Sequence, residues 1–204
     1  MRHKIKAEWY IAAGQVVLAL CLLVCLIRIP HYFFSFDQGG VSNFGTEPAT
    51  RRLFTLGFAG ATLSTVLGDL MLPRSIRYRR QLRVGLYSLA GLYLAVMFST
   101  FSYKVSNQLR DLHQYTAISL FLGMLTLACW LRVKLATDPP IRRAFIVFCW
   151  AFAAGTVTVL GLAYILFDAE VVCGAAFGYL LVRGVAVLQD NPTKAGPAPE
   201  AIKH

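Results

Sequence analysis

Apolar residues in this chain do not alternate with polar ones; they run on. Long stretches, nearly free of charge, extend from Trp9 to Ile27, from Leu53 to Leu72 with Asp69 inside, and from Val84 to Tyr103. Three more follow, from Leu112 to Leu131, from Ala144 to Phe167, and from Val171 to Leu188 with Arg183 inside. Each holds roughly 18–24 residues, enough at about 1.5 Å per residue to cross about 30 Å of hydrocarbon. A membrane-spanning strand would show about ten residues of strict alternation, and no such pattern is visible. The pattern predicts an all-α integral membrane protein, a six-transmembrane-helix bundle. Its spans are expected at about 9–30, 53–72, 84–103, 112–131, 144–167 and 171–188. No fixed-period repeat or linker divides residues 1–189, which read as one transmembrane domain. Residues 190–204 carry Pro192, Gly196 and Pro197 in a polar run and read as a disordered tail.

Composition agrees, since 57% of the 204 residues are hydrophobic and only 15% charged, too few to cover a soluble surface. The net charge of +10 would suit a nucleic-acid partner were it not for its distribution. Arg2, Lys4 and Lys6, the cluster Arg74, Arg77, Arg79, Arg80 and Arg83, the group Arg132, Lys134, Arg142 and Arg143, and Lys194 and Lys203 all fall on one side of a six-helix weave. On the other side Asp37, Glu47, Asp111, Asp168 and Glu170 offset Arg28, Arg51, Arg52, Lys104 and Arg110. Such asymmetry is the positive-inside pattern, which puts both termini in the cytoplasm and draws the basic side to anionic lipid. It needs no nucleic acid. The basic start and first apolar run resemble a signal peptide, but Arg28 and His31 follow without a small-residue cleavage pattern. A retained anchor is expected, in a multi-pass protein of the plasma (inner) membrane. Cys21, Cys25, Cys129, Cys149 and Cys173 all lie in apolar runs and read as small packing residues; no cofactor or metal site is expected from them.

One polar, Gly-rich segment interrupts this picture, from Gln38 to Pro48 inside a long first non-cytoplasmic loop of residues 30–52. The two later loops on that side are short, so the first is expected to fold back as a cap. Ser42, Asn43 and Thr46 carry hydroxyls and an amide that suit a head-group pocket, or equally the local turns such residues favour. Gly39, Gly40 and Gly45 supply backbone freedom and Pro48 rigidity. His113, near the expected start of the fourth span, has the chemistry of a proton acceptor or of a hydrogen-bond donor to a phosphate or carbonyl. Capping that helix or bonding to the first loop would occupy it as well. A Ser42 nucleophile with His113 as base is the weakest option, because no Gly-x-Ser-x-Gly elbow surrounds the serine. Asp69 and Arg183 lie at similar depth near the basic side, and a charge in hydrocarbon seeks a partner. An Asp69–Arg183 pair locking two helices is expected; the alternatives are that each snorkels outward or meets the Arg74 and Arg77 cluster.

Ser42, Gly45, Thr46, Pro48 and Phe54 fall at spacings that resemble the signature of the DRAM/Sfk-type six-span membrane family. Phe98, His113, Ala117, Phe121 and Gly123 match a second family pattern. Asn43 stands where the family has Asp, and Ala49 and Thr50 replace its Pro-Glu, so a role needing a carboxylate there does not carry over. The resemblance covers most of the chain and implies the same six-span topology.

Two functional expectations follow. The resemblance implies a protein that binds, senses or remodels a lipid or lipid-linked molecule at the outer leaflet, through the first loop and His113. Acyl transfer or ester hydrolysis is the chemistry to test if it is an enzyme. The absence of a complete catalytic set equally suits a non-catalytic assembly or regulatory partner of another membrane protein. A transporter fits less well, because the span centres lack charge and the halves do not repeat.

Overall fold

The computed structural model describes residues 6–29, 40–102, 105–159 and 166–190. The expected tail from residue 191 onward, Gly39 and the first part of the long loop lie outside the described residues. Seven helices follow in order: α1 (Ala7–Arg28), α2 (Asn43–Thr46), α3 (Arg51–Leu70), α4 (Arg79–Thr100), α5 (Asn107–Lys134), α6 (Pro139–Val159) and α7 (Leu166–Asp190). All but α2 are long and apolar enough to cross a membrane. Helices suit that role because each satisfies its own backbone groups. Embedded hydroxyls are absorbed in the same way: Thr62, Thr65, Thr100 and Thr126 each donate to the carbonyl four residues back, at 2.7–2.9 Å.

Helix ends depart from the expected boundaries where polar residues prove helical. α5 begins at Asn107, well before Leu112, because Ser106 caps it by accepting from the Leu109 amide at 3.3 Å. α6 begins at Pro139 itself, with Asp138 accepting from the Ile141 amide at 3.0 Å. Proline is well suited to a first helical turn, where its missing N–H has no bond to lose.

Packing makes a ring. α1 lies against α3, α3 against α4, α4 against α5, α5 against α7, and α7 returns to α1. α6 stands outside this ring, packed on α7 and α5. The α1–α3 seam is the tightest, because Gly14 lies against the side chain of Ser64 and Gly68 against Ile11, leaving no room for a β-carbon at either glycine. Aromatic rings fill the interior: Phe54 on Phe58 at 4.5 Å between centroids, Phe58 edge-on to Tyr93 at 5.9 Å, and Phe148 against Phe177 at 6.0 Å.

The two ends of the bundle differ. At the basic end three ion pairs join neighbouring helices: Lys6 with Asp190 at 2.8 Å, Arg83 with Asp69 at 3.0 Å, and Arg183 with Asp138 at 2.9 Å. The expected Asp69–Arg183 pair is therefore replaced by two others. The reason is topological: Asp69 ends α3 and Arg83 opens the adjacent α4, whereas Arg183 belongs to α7, which does not flank α3. Asp69 is fully buried and receives the Arg83 Nε on both oxygens, at 3.0 and 3.2 Å.

Candidate functional site

At the other end, residues 40–50 lie across the helix termini and are tied to each side of the ring. The Val41 amide donates to Glu170 Oε2 of α7 at 2.6 Å. Arg28 of α1 donates to the Ala49 carbonyl at 3.0 Å. Arg51 of α3 donates to the carbonyls of Gly45 and Thr46, each at 3.2 Å. Buried Thr50 donates to the Phe44 carbonyl at 2.8 Å and thereby closes the segment on itself. Phe44, with no exposed surface, plugs the end of the bundle and meets Phe167 edge-on at 5.8 Å.

The glycines here serve space rather than backbone freedom, since neither Gly40 nor Gly45 has a left-handed backbone. A β-carbon on Gly40 would overlap the Glu170 carboxylate, and one on Gly45 would overlap the Thr100 methyl. Among the residues expected to bind, Thr46 spends its hydroxyl on the Asn43 carbonyl at 2.9 Å, a local turn. Asn43 opens α2, and Pro48 lies in the turn between α2 and α3.

His113 neither caps α5 nor sits at its first turn. It is buried on the α4 side, its Nδ1 3.0 Å from Ser99 Oγ and 3.5 Å from Thr100 Oγ1. Ser99 also lies 2.8 Å from Thr116 Oγ1, so a small polar cluster joins α4 to α5. Thr100 links this cluster to the loop, through its contact with Gly45.

Beneath the loop, the ring encloses a cavity of about 720 Å³. Its walls come from α1, α3, α4, α5 and α7, with Leu22, Phe58, Val96, Leu120 and Met124 among them, and α6 contributes nothing. Its mouth is polar, formed by Val41, Ser42, Asp168 and Glu170. Deeper, the polar side chains of Gln15 of α1 and Tyr93 of α4 meet at the wall. Lining residues Val16 and Leu23 of α1 and Val171 and Tyr179 of α7 are exposed, so the cavity reaches the side of the bundle between these two helices.

Of the four residues expected to bind, Ser42 alone lines the cavity; Asn43, Thr46 and His113 do not. Sequence reading missed Gln15, Tyr93 and Glu170. Gln15 left a usable trace, as the one amide inside the first apolar run. Glu170 was read only as charge balance in a short loop, although it sits in the first turns of α7. No protein-family model, curated protein or solved structure matches this chain.

Proposed function

We propose that this multi-pass membrane protein binds a lipid or lipid-linked molecule in the ring cavity, from the outer leaflet. The apolar part of the ligand lies between α1 and α7, and its polar part meets Val41, Ser42 and Glu170. The observation that carries this reading is a large cavity with apolar walls, a few polar groups at its mouth, and an opening on the side of the bundle. Its volume of about 720 Å³ falls in the range of small-molecule sites. The family resemblance points to the same class of ligand. Binding is favoured over chemistry, because His113 is engaged with Ser99 and stands apart from the Ser42 mouth.

Gly174 provides the test, since it lines the cavity and a β-carbon there meets nothing within 4 Å. The whole chain is purified in mild detergent and its extractable lipid identified by mass spectrometry. Wild type retains lipid near one molecule per chain, while Gly174→Phe, folded by circular dichroism, retains at least tenfold less. Equal retention by the two proteins rejects the reading. A stoichiometric copurifying protein without lipid would instead support an assembly or regulatory role.

A further inference from the structure

A second groove, of about 590 Å³, runs between α4 and α5 at the basic end of the bundle. Arg80, Gln81, Ser88, Thr126 and Trp130 line it. Gly85 and Gly123 form its floor, where a β-carbon would stand 2.9 Å from Leu127 and 2.8 Å from Leu92. No residue is shared with the cavity described above.

Positive charge gathers at the mouth of this groove without compensation. The Arg77 guanidinium lies 4.6 Å and the Lys134 ammonium 4.8 Å from the centre of the same Tyr78 ring. Trp130 meets that ring edge-on at 5.9 Å. Tyr78 adopts a left-handed φ of 59°, strained for a bulky residue, and its ring thereby becomes the hub of the cluster. Arg79 and Arg80 then open α4, where the positive end of the helix dipole opposes cations. Asp69 answers Arg83. Among the described residues, none of Arg77, Arg80 or Lys134 has a carboxylate partner. Below this mouth, Gln81 and Ser88 stand two turns apart on one face of α4, both exposed. Gln81 offers hydrogen bonds at the end nearer the cations, and Ser88 lies beyond Gly85 along the groove.

We propose that this groove binds an anionic glycerophospholipid of the leaflet at the basic end. Arg80, with Arg77 and Lys134, holds the phosphate; Gln81 meets the glycerol esters; an acyl chain follows the groove over Gly85, Ser88 and Gly123. Charge complementarity selects the occupant, because a zwitterionic lipid leaves the local excess of cations unbalanced.

The full chain in detergent is titrated with phosphatidylglycerol and with phosphatidylcholine of the same acyl chains, and binding is read by native mass spectrometry. Phosphatidylglycerol is expected to bind at least tenfold more tightly. Arg80→Gln with Lys134→Gln abolishes the preference, whereas Arg142→Gln with Arg143→Gln, removing equal charge at the same end on α6, preserves it. Ser88→Phe obstructs the groove and weakens phosphatidylglycerol binding with all cations intact, and glycerol phosphate at matched concentration does not displace the lipid. Equal affinity of wild type for the two lipids overturns the proposal and requires no variant to fold. So does an unchanged preference in the folded Arg80/Lys134 variant, equal loss in the Arg142/Arg143 control, wild-type binding by Ser88→Phe, or displacement by glycerol phosphate.

Discussion

The Val41 amide and the Glu170 carboxylate meet at 2.6 Å across 129 residues of sequence, and fasten the first loop to the last helix. Glu170→Ala leaves the Val41 N–H without its acceptor and costs about 1–3 kcal/mol. Glu170→Gln keeps an acceptor oxygen and retains most of the stability. Gly40→Ala drives a methyl into the carboxylate and behaves like Glu170→Ala. Thermal unfolding in detergent, with the rate of tryptic cleavage at Arg51 and Arg52, reads all three. A loop as protected in Glu170→Ala as in wild type would refute the latch.

Asp69 is buried and Arg83 partly exposed, so the two halves of their pair are unequal. Arg83→Ala strands a buried carboxylate and is expected to destabilise the protein measurably more than a change at Arg183. Adding Asp69→Ala recovers part of that loss. Arg183→Ala is expected to cost less than about 1 kcal/mol, because its partner is Asp138 and the pair lies partly exposed. A double-mutant cycle shows coupling between Asp69 and Arg83 and none between Asp69 and Arg183.

The His113 cluster has a structural task at the α4–α5 seam. Ser99→Ala is expected to lower stability by about 0.5–1.5 kcal/mol, and His113→Ala by about 1–3 kcal/mol. The two effects are not additive, because both remove the same hydrogen bond. Lipid retention should be unchanged in both variants. A folded His113→Ala protein that loses its lipid would return this residue to the ligand.

Gln15 places an amide in an apolar wall, where Tyr93 is its one neighbouring polar side chain among the described lining residues of α4. Gln15→Leu removes that amide from the apolar wall and is expected to give an unfolding temperature no lower than that of wild type. The same variant is expected to retain at least threefold less lipid, because a lipid bound as proposed would lose a polar contact at that depth. Higher stability with undiminished lipid would make the amide a packing defect and nothing more.

Lipid solubility writes itself into sequence, and the six long helices were legible for that reason. Their ends were not, because Asn107, Gln108, Arg110 and Asp111 read as loop yet form the first two turns of α5 once Ser106 caps it. The order of helices around the ring was equally hidden. α6 is long and apolar enough to span a membrane like the other five, and that alone does not say that it stands outside. The polar loop was visible as an exception in composition, and Ser42 does reach the cavity mouth. Gln15, Tyr93 and Glu170 come from three helices distant in sequence, and only the packing brings them to one cavity. Such convergence has no signature in spacing.

The α1–α3 seam also bears on how the protein is made. Gly14 and Gly68 let these two helices close without help from any later segment, so they can pair while the ribosome is still synthesising the rest. α7 emerges after α1 to α6, yet it supplies one wall of the cavity and the carboxylate that holds the loop. During biogenesis the nascent chain thus passes through a stage with α1 exposed along its future α7 face and the loop untethered. α7 closes both at once, and a chain arrested before it would have neither this cavity nor a fastened loop.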